Sequence, residues 1–304
     1  MSDFNLLAAT RTLEKSMAYV LYRFLLSFTV GLGYLMASLA AAGTLVGFAF
    51  LAKNAGAVGP FGAALGFAGF GYLMYKFRGT WLRAVKAPHL ALLAAQLKGE
   101  TLPTGKALID FAKQRANERF PSARPLFETD QAIQQALADI PATDSVTRAI
   151  GHPRLKAWAS KALGFLYSRN HQSILGWHCY SGGADLKLSA LGALAVQRQH
   201  YGILLKYRIY ATVFEALGFI AAFPLLSIAF TEMVSGIPIA FGIWPEVFGG
   251  VFAWTLKAAF FEPIAEAAMM QAFFPLAEQG ADPGQAAELS KESEAYRSLR
   301  QTAT

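Results

Sequence analysis

Two pairs of long apolar runs decide what this chain can fold into. Residues 24–52 and 55–75 form one pair near the start, and residues 209–235 and 237–261 form another near the end. A helix needs roughly 20 apolar residues to cross a hydrocarbon core about 30 Å thick, and each run is long enough. Composition agrees: 54% of the 304 residues are hydrophobic and only 15% are charged, whereas soluble domains carry about 25% charged residues. The 24 phenylalanines suit lipid-facing helices better than a soluble core. The expected fold is therefore all-α: a polytopic helical membrane protein with four spans in two hairpins and a helical cytoplasmic insert between them.

Charge sets the expected orientation. Residues 1–23 hold 3 Lys and Arg and residues 76–208 hold 19, but Lys53 stands alone between the first two runs. Basic residues are retained on the cytoplasmic side of a membrane, so both tails and the middle segment belong inside. The loops around Lys53 and Asn54 and around residues 232–245 then face outward. A bacterial inner membrane with both termini cytoplasmic is the simplest setting. The net charge of +7 fits anionic lipid head groups better than nucleic acid. A single cysteine, Cys179, excludes an internal disulfide framework.

Four segments follow from the composition shifts. Residues 1–78 read as an amphipathic helix and the first hairpin, and residues 79–206 as a basic cytoplasmic or interfacial helical segment. Residues 207–275 read as the second hairpin and residues 276–304 as a cytoplasmic tail. Within the middle segment, residues 80–98 suggest an interfacial helix broken at Pro88, with Arg83 and Lys86 towards the head groups. Residues 163–181 are interrupted by Arg169, Asn170 and His171 and predict a cytoplasmic or interfacial helix rather than a span. Tyr22 and Arg23, like Lys206, Tyr207 and Arg208, form aromatic-basic anchors at the membrane surface. The two halves thus share an order of elements, but their identity is slight and any hairpin meeting a membrane needs such an anchor. Gly43 and Gly47, like Gly62 and Gly66, fall one turn apart and suit close helix packing.

No catalytic constellation emerges, so an enzyme is not expected. Residues 99–106 approach a phosphate-loop pattern, but the glycines are one residue too far apart and Ala107 replaces the hydroxyl needed for magnesium. His171, His178 and Cys179 cluster in sequence without the three or four converging ligands a metal site needs. No metal and no cofactor are called for. The intramembrane ionisable residues are the better lead, since a charge at the bilayer centre costs roughly 3 kcal/mol and normally faces a cavity, a protein interior or a partner. Glu215, Lys257, Glu262, Pro263 and Glu266 are the candidate polar path or gate. Pro263 frees a backbone carbonyl between two carboxylates one turn apart. The simpler alternative is a helix leaving the membrane, with charges where water begins; for Glu215 it is an interfacial place beside Lys206 and Arg208.

From residue 184 onward, an amphipathic segment, a hairpin and the string Phe261-Glu262-Pro263-Ile264-Ala265-Glu266 succeed one another. In topology this order resembles the C-terminal part of choline transporter-like membrane proteins over about a third of the chain. Glu262 stands where that family has an aspartate, and no residue is carried over as a substrate ligand. The resemblance implies a membrane topology and not choline transport. The leading expectation is an oligomeric channel or transporter-like component for small solutes or ions. The alternative is a structural subunit of a larger membrane complex, and in either case the partners are the lipid bilayer and further membrane subunits.

Overall fold

The computed structural model describes residues 4–51, 58–143, 151–236 and 242–303. The expected outer loop at Lys53 and Asn54, and residues 237–241 of the one expected at 232–245, lie outside these. Every element among the described residues is helical. In order they are α1 (Leu6–Lys15), α2 (Met17–Leu51), α3 (Val58–Lys76), α4 (Ala87–Leu97), α5 (Lys106–Arg119), α6 (Ala123–Asp139) and α7 (Pro153–Ser168). There follow α8 (His171–Ser181), α9 (Leu186–Gln199), α10 (Tyr201–Ser235), α11 (Trp244–Leu256), α12 (Glu262–Gln279), α13 (Pro283–Glu292) and α14 (Glu294–Gln301).

Three helices are long and apolar enough to cross a membrane: Met17–Phe48, Tyr201–Ser235 and Trp244–Gln279. The last combines α11 and α12 through a π-helical turn, Lys257–Phe261. The fourth expected span corresponds to α3, whose 19 residues include five glycines and which is not among the three.

The chain divides into two compact units. The larger comprises Met1–Tyr19, Gly79–Val213 and Ile264–Thr304; the smaller comprises Val20–Arg78 and Phe214–Pro263. At the centre of the larger unit lies α4, buried at every position from Ala87 to Ala95. Residues 87–95, the centre of the stretch expected along a head-group interface, are therefore covered by protein instead. Apolar side chains run right round α4, and a helix without a polar face is stable only when it is covered on all sides. Arg83 is turned onto protein instead, donating to the carbonyls of Phe120 at 3.2 Å and Pro121 at 2.9 Å. Leu126, Ile133, Leu137, Ile174, Leu194 and Phe273 complete this core. The stretch 163–181 is split between α7 and α8 at Arg169 and Asn170, and Ile174 and Leu175 of α8 are fully buried.

In the smaller unit α3 closes on α2. A Cβ at Gly62 would meet the Ala41 carbonyl oxygen at 2.7 Å, and one at Gly66 would collide with the Ala37 backbone. At Gly43 and Gly47 a Cβ would meet nothing within 4 Å. Gly249 brings α11 onto α10 in the same way: a Cβ there would lie 2.7 Å from the Ser227 Cα.

The parallel between the halves extends beyond the anchors. α1 and α9 each end at a one-residue break, Ser16 and His200, and each is followed by a 35-residue helix. Each half also contains a five-residue π-helical turn, Leu82–Lys86 and Lys257–Phe261, placed two residues before a proline. The physical cause is shared. Proline lacks an N–H and its ring clashes with the carbonyl four residues back, so Pro88 and Pro263 displace Ala84 and Ala259 within those turns. The i→i+5 bonds of a π turn accommodate the strain without breaking the helix.

Candidate functional site

Four charged side chains from three segments of the smaller unit meet in one chain of ion pairs. Arg23 is placed by α2, Glu215 by α10, Lys257 by the start of the π turn and Glu262 by the first position of α12. Lys257 Nζ lies 2.9 Å from Glu215 Oε2 and 2.6 Å from Glu262 Oε1. The far oxygen of Glu262 accepts from Arg23 at 3.3 Å. The order is therefore Glu215, Lys257, Glu262, Arg23, alternating in sign and formally neutral. The side chains of Glu215 and Arg23 are only 2% and 3% exposed, against 15% and 13% for Lys257 and Glu262.

The π turn makes the central pair possible. Residues five apart on an α-helix point about 140° away from each other. The Glu262 N–H instead donates to the Lys257 carbonyl, five residues back, which stacks the two residues and lets their side chains touch. Aromatic packing surrounds the chain, with Phe24 on Phe260 at 5.5 Å, Phe28 on Phe252 at 5.1 Å and Phe214 on Phe261 at 5.4 Å. Gly218 leaves room for the Phe261 ring, which any Cβ there would overlap.

Of the candidate path, the structure joins Glu215, Lys257 and Glu262 and adds Arg23, read from sequence as an anchor. Pro263 acts through the π turn rather than by breaking the helix. Glu266, 5% exposed, is a buried carboxylate in the larger unit. Glu215 pairs with Lys257 rather than sitting beside Lys206 and Arg208 at an interface. Among the anchors, Tyr22 is half-buried, Tyr207 stacks on Phe4 at 5.6 Å and Lys206 lies over the Tyr210 ring at 5.7 Å. Arg23 and Arg208 are both buried, each 2% exposed.

Arg208 belongs to a second buried network, in the larger unit. Its Nε donates to Asn170 Oδ1 at 2.7 Å, and Asn170 Nδ2 donates to Gln197 Oε1 at 3.3 Å. Tyr167 Oη donates to the same Gln197 oxygen at 2.8 Å, and burial pushes its hydroxyl well above the usual phenol range. Arg169 and Asn170, which interrupt a span in the sequence, thus lie at a helix junction tied together by hydrogen bonds.

Among the described residues no group of three or more His, Cys, Asp and Glu could hold a metal. Burial lowers both His171 and His178. The His171 Nδ1 faces the Ser168 carbonyl at 2.9 Å, and the His178 Nδ1 faces Ser189 Oγ at 3.0 Å. Burial also pushes the Cys179 thiol up to about 12, which suppresses the nucleophilic thiolate.

These elements define an all-helical chain whose three long apolar helices suit an integral membrane protein. No protein-family model, curated protein or solved structure matches it.

Proposed function

We propose that this chain is an oligomeric channel- or transporter-like component for small solutes or ions, with its polar path at Glu215, Lys257, Glu262 and Arg23. In this reading α3 serves as the fourth span, and both termini lie on the cytoplasmic side of a bacterial inner membrane. The observation that carries the proposal is the ammonium of Lys257 held between two carboxylates inside helices of membrane-spanning length. Such groups are expensive in a bilayer and usually mark a conduction path or a proton relay. Alternation of sign supplies the chemistry. A proton or small cation arriving at Glu262 competes with both Lys257 and Arg23 for its carboxylate, and Lys257 keeps Glu215 as a partner while it does.

The test is flux through purified protein in sealed vesicles, under imposed proton, sodium and potassium gradients. The wild-type protein should dissipate at least one gradient, and Glu262→Gln should change that rate about tenfold or more, equivalent to about 1.4 kcal/mol in the barrier. Vesicles as tight as protein-free ones would sink the proposal.

The second reading, a structural subunit of a larger complex, is favoured by one observation: the larger unit has its own buried core and outweighs the smaller. Mass measurement of the particle extracted gently from native membranes separates the two readings. A homo-oligomer supports the path, and a stoichiometric foreign subunit supports the scaffold. Deleting residues 99–141 is not a clean probe of partner docking, because Leu108, Leu126, Ile133 and Leu137 are core residues of the larger unit.

A further inference from the structure

Helix α7 presents an apolar stripe to the outside of the larger unit. Leu155, Trp158 and Phe165 are 62%, 76% and 75% exposed, and Ala162 between them is exposed as well. Their spacing of three, four and three residues puts all four on one side of a helix. The opposite side holds the unit together. Gly164 and Tyr167 are buried there, and a Cβ at Gly164 would come 2.7 Å from the Ala138 carbonyl oxygen of α6. The stripe is therefore not a displaced core face.

Charge says what covers it. Arg154, Lys156 and Lys161 flank the stripe and are exposed, and residues 145–184 contain no Asp or Glu at all. A helix with a Trp- and Phe-bearing apolar face and purely basic flanks is suited to the boundary between head groups and acyl chains of an anionic membrane. Long basic side chains at such a boundary lay their stems on the apolar zone and keep their charges among the phosphates. The chain also tethers this unit to a segment of membrane-spanning length, because α10 starts in the larger unit at Tyr201 and continues through apolar residues to Ser235. Tethering of this kind raises the effective concentration of lipid around the unit, so a single helix suffices for docking.

We propose that α7 is a membrane-docking helix, with Leu155, Trp158, Ala162 and Phe165 inserted into an anionic lipid surface and Arg154, Lys156 and Lys161 bound to its head groups. The site lies wholly in the larger unit and is independent of the ion path, so failure of either leaves the other standing.

The test uses the full chain in vesicles, spin-labelled one position at a time in Trp158→Cys, Phe165→Cys and Ala157→Cys. Cys179, its thiol pushed up to about 12, reacts poorly, and the unsubstituted protein provides the background. In phosphatidylglycerol vesicles, labels at 158 and 165 should collide more with dissolved oxygen than with an aqueous nickel complex, and the label at 157 should do the reverse. Replacing the lipid by phosphatidylcholine, or introducing Arg154→Gln, Lys156→Gln and Lys161→Gln together, should shift docking by roughly a hundredfold, the combined effect of three basic residues near an anionic surface. Labels at 158 and 165 open to the nickel complex in phosphatidylglycerol would overturn the proposal. So would labels shielded from both reagents, which would mean a second copy or another protein on this face. Equal insertion in both lipids would remove the anionic head groups from it.

Discussion

Lys257 holds the charge balance of the smaller unit. It bridges Glu215 and Glu262 in the chain of ion pairs, and the Glu215 side chain is almost wholly buried. Removing one partner of a buried pair leaves an uncompensated charge, which costs about 3–5 kcal/mol. Lys257→Met should lower the stability of detergent-solubilised protein by about that much, read by denaturant unfolding. Adding Glu215→Gln should recover part of the loss, because Glu262 still has Arg23; a double-mutant cycle measures the coupling. A loss below about 1 kcal/mol, the value of an exposed pair, would show that the site is wet and the pairing weak. Sequence alone singled out Glu215, Lys257 and Glu262 by their place in apolar runs. It did not pair Lys257 with Glu262, because five residues is the wrong spacing for an α-helix. Nor did it bring in Arg23, which lies 239 residues from Glu262 along the chain.

At the scale of elements, the glycines of the first two apolar helices separate into two kinds. Gly62 and Gly66 are points where α3 and α2 meet backbone to backbone, whereas Gly43 and Gly47 face open space. Gly66→Leu should therefore destabilise the protein by about 1–3 kcal/mol, the usual cost of forcing extra methylenes into a packed contact. Gly43→Ala should stay within about 0.5 kcal/mol. Unfolding in detergent of the two variants side by side checks this, and equal effects would mean that α3 does not pack on α2 as described. One-turn spacing was legible in the sequence for both glycine pairs. Which pair meets a partner depends on the register between two helices, and periodicity does not encode register. The π turns were similarly half-legible, since Pro88 and Pro263 announced a disturbance whose form, a widened turn instead of a break, depended on packing that kept the helix continuous.

At the scale of the whole molecule, folding of the larger unit disfavours charge on two largely buried histidines. Burial lowers His171 and His178 from the ordinary value of 6.5, so the unfolded chain binds more protons than the folded one as pH falls through that value. Stability is then fully present above about pH 6.5 and is lost as pH drops toward the lower folded values. The unfolding midpoint should be lower at about pH 5 than at about pH 7.5, and His171→Gln should reduce the difference. An unchanged midpoint would place both rings in water. The repeated order of elements also belongs to this scale: a break, a 35-residue helix and a π turn before proline occur once in each half. The ionic site does not repeat with them, because Ala87 stands before Pro88 where Glu262 stands before Pro263.

By itself the sequence determined that this chain is helical, apolar and suited to a bilayer, because length and composition of a run suffice for that inference. It also determined which intramembrane charges had to be explained, since an ionisable residue in an apolar run is conspicuous without any structure. Only the tertiary structure decided that residues 80–98 enclose a buried central helix, that the ends of the chain join residues 79–213 in one unit, and that Arg23 completes the ion chain. Those outcomes depend on which surfaces meet across large separations in sequence. Such meetings are set by packing of shapes and pairing of charges in three dimensions, for which a local pattern carries no signal.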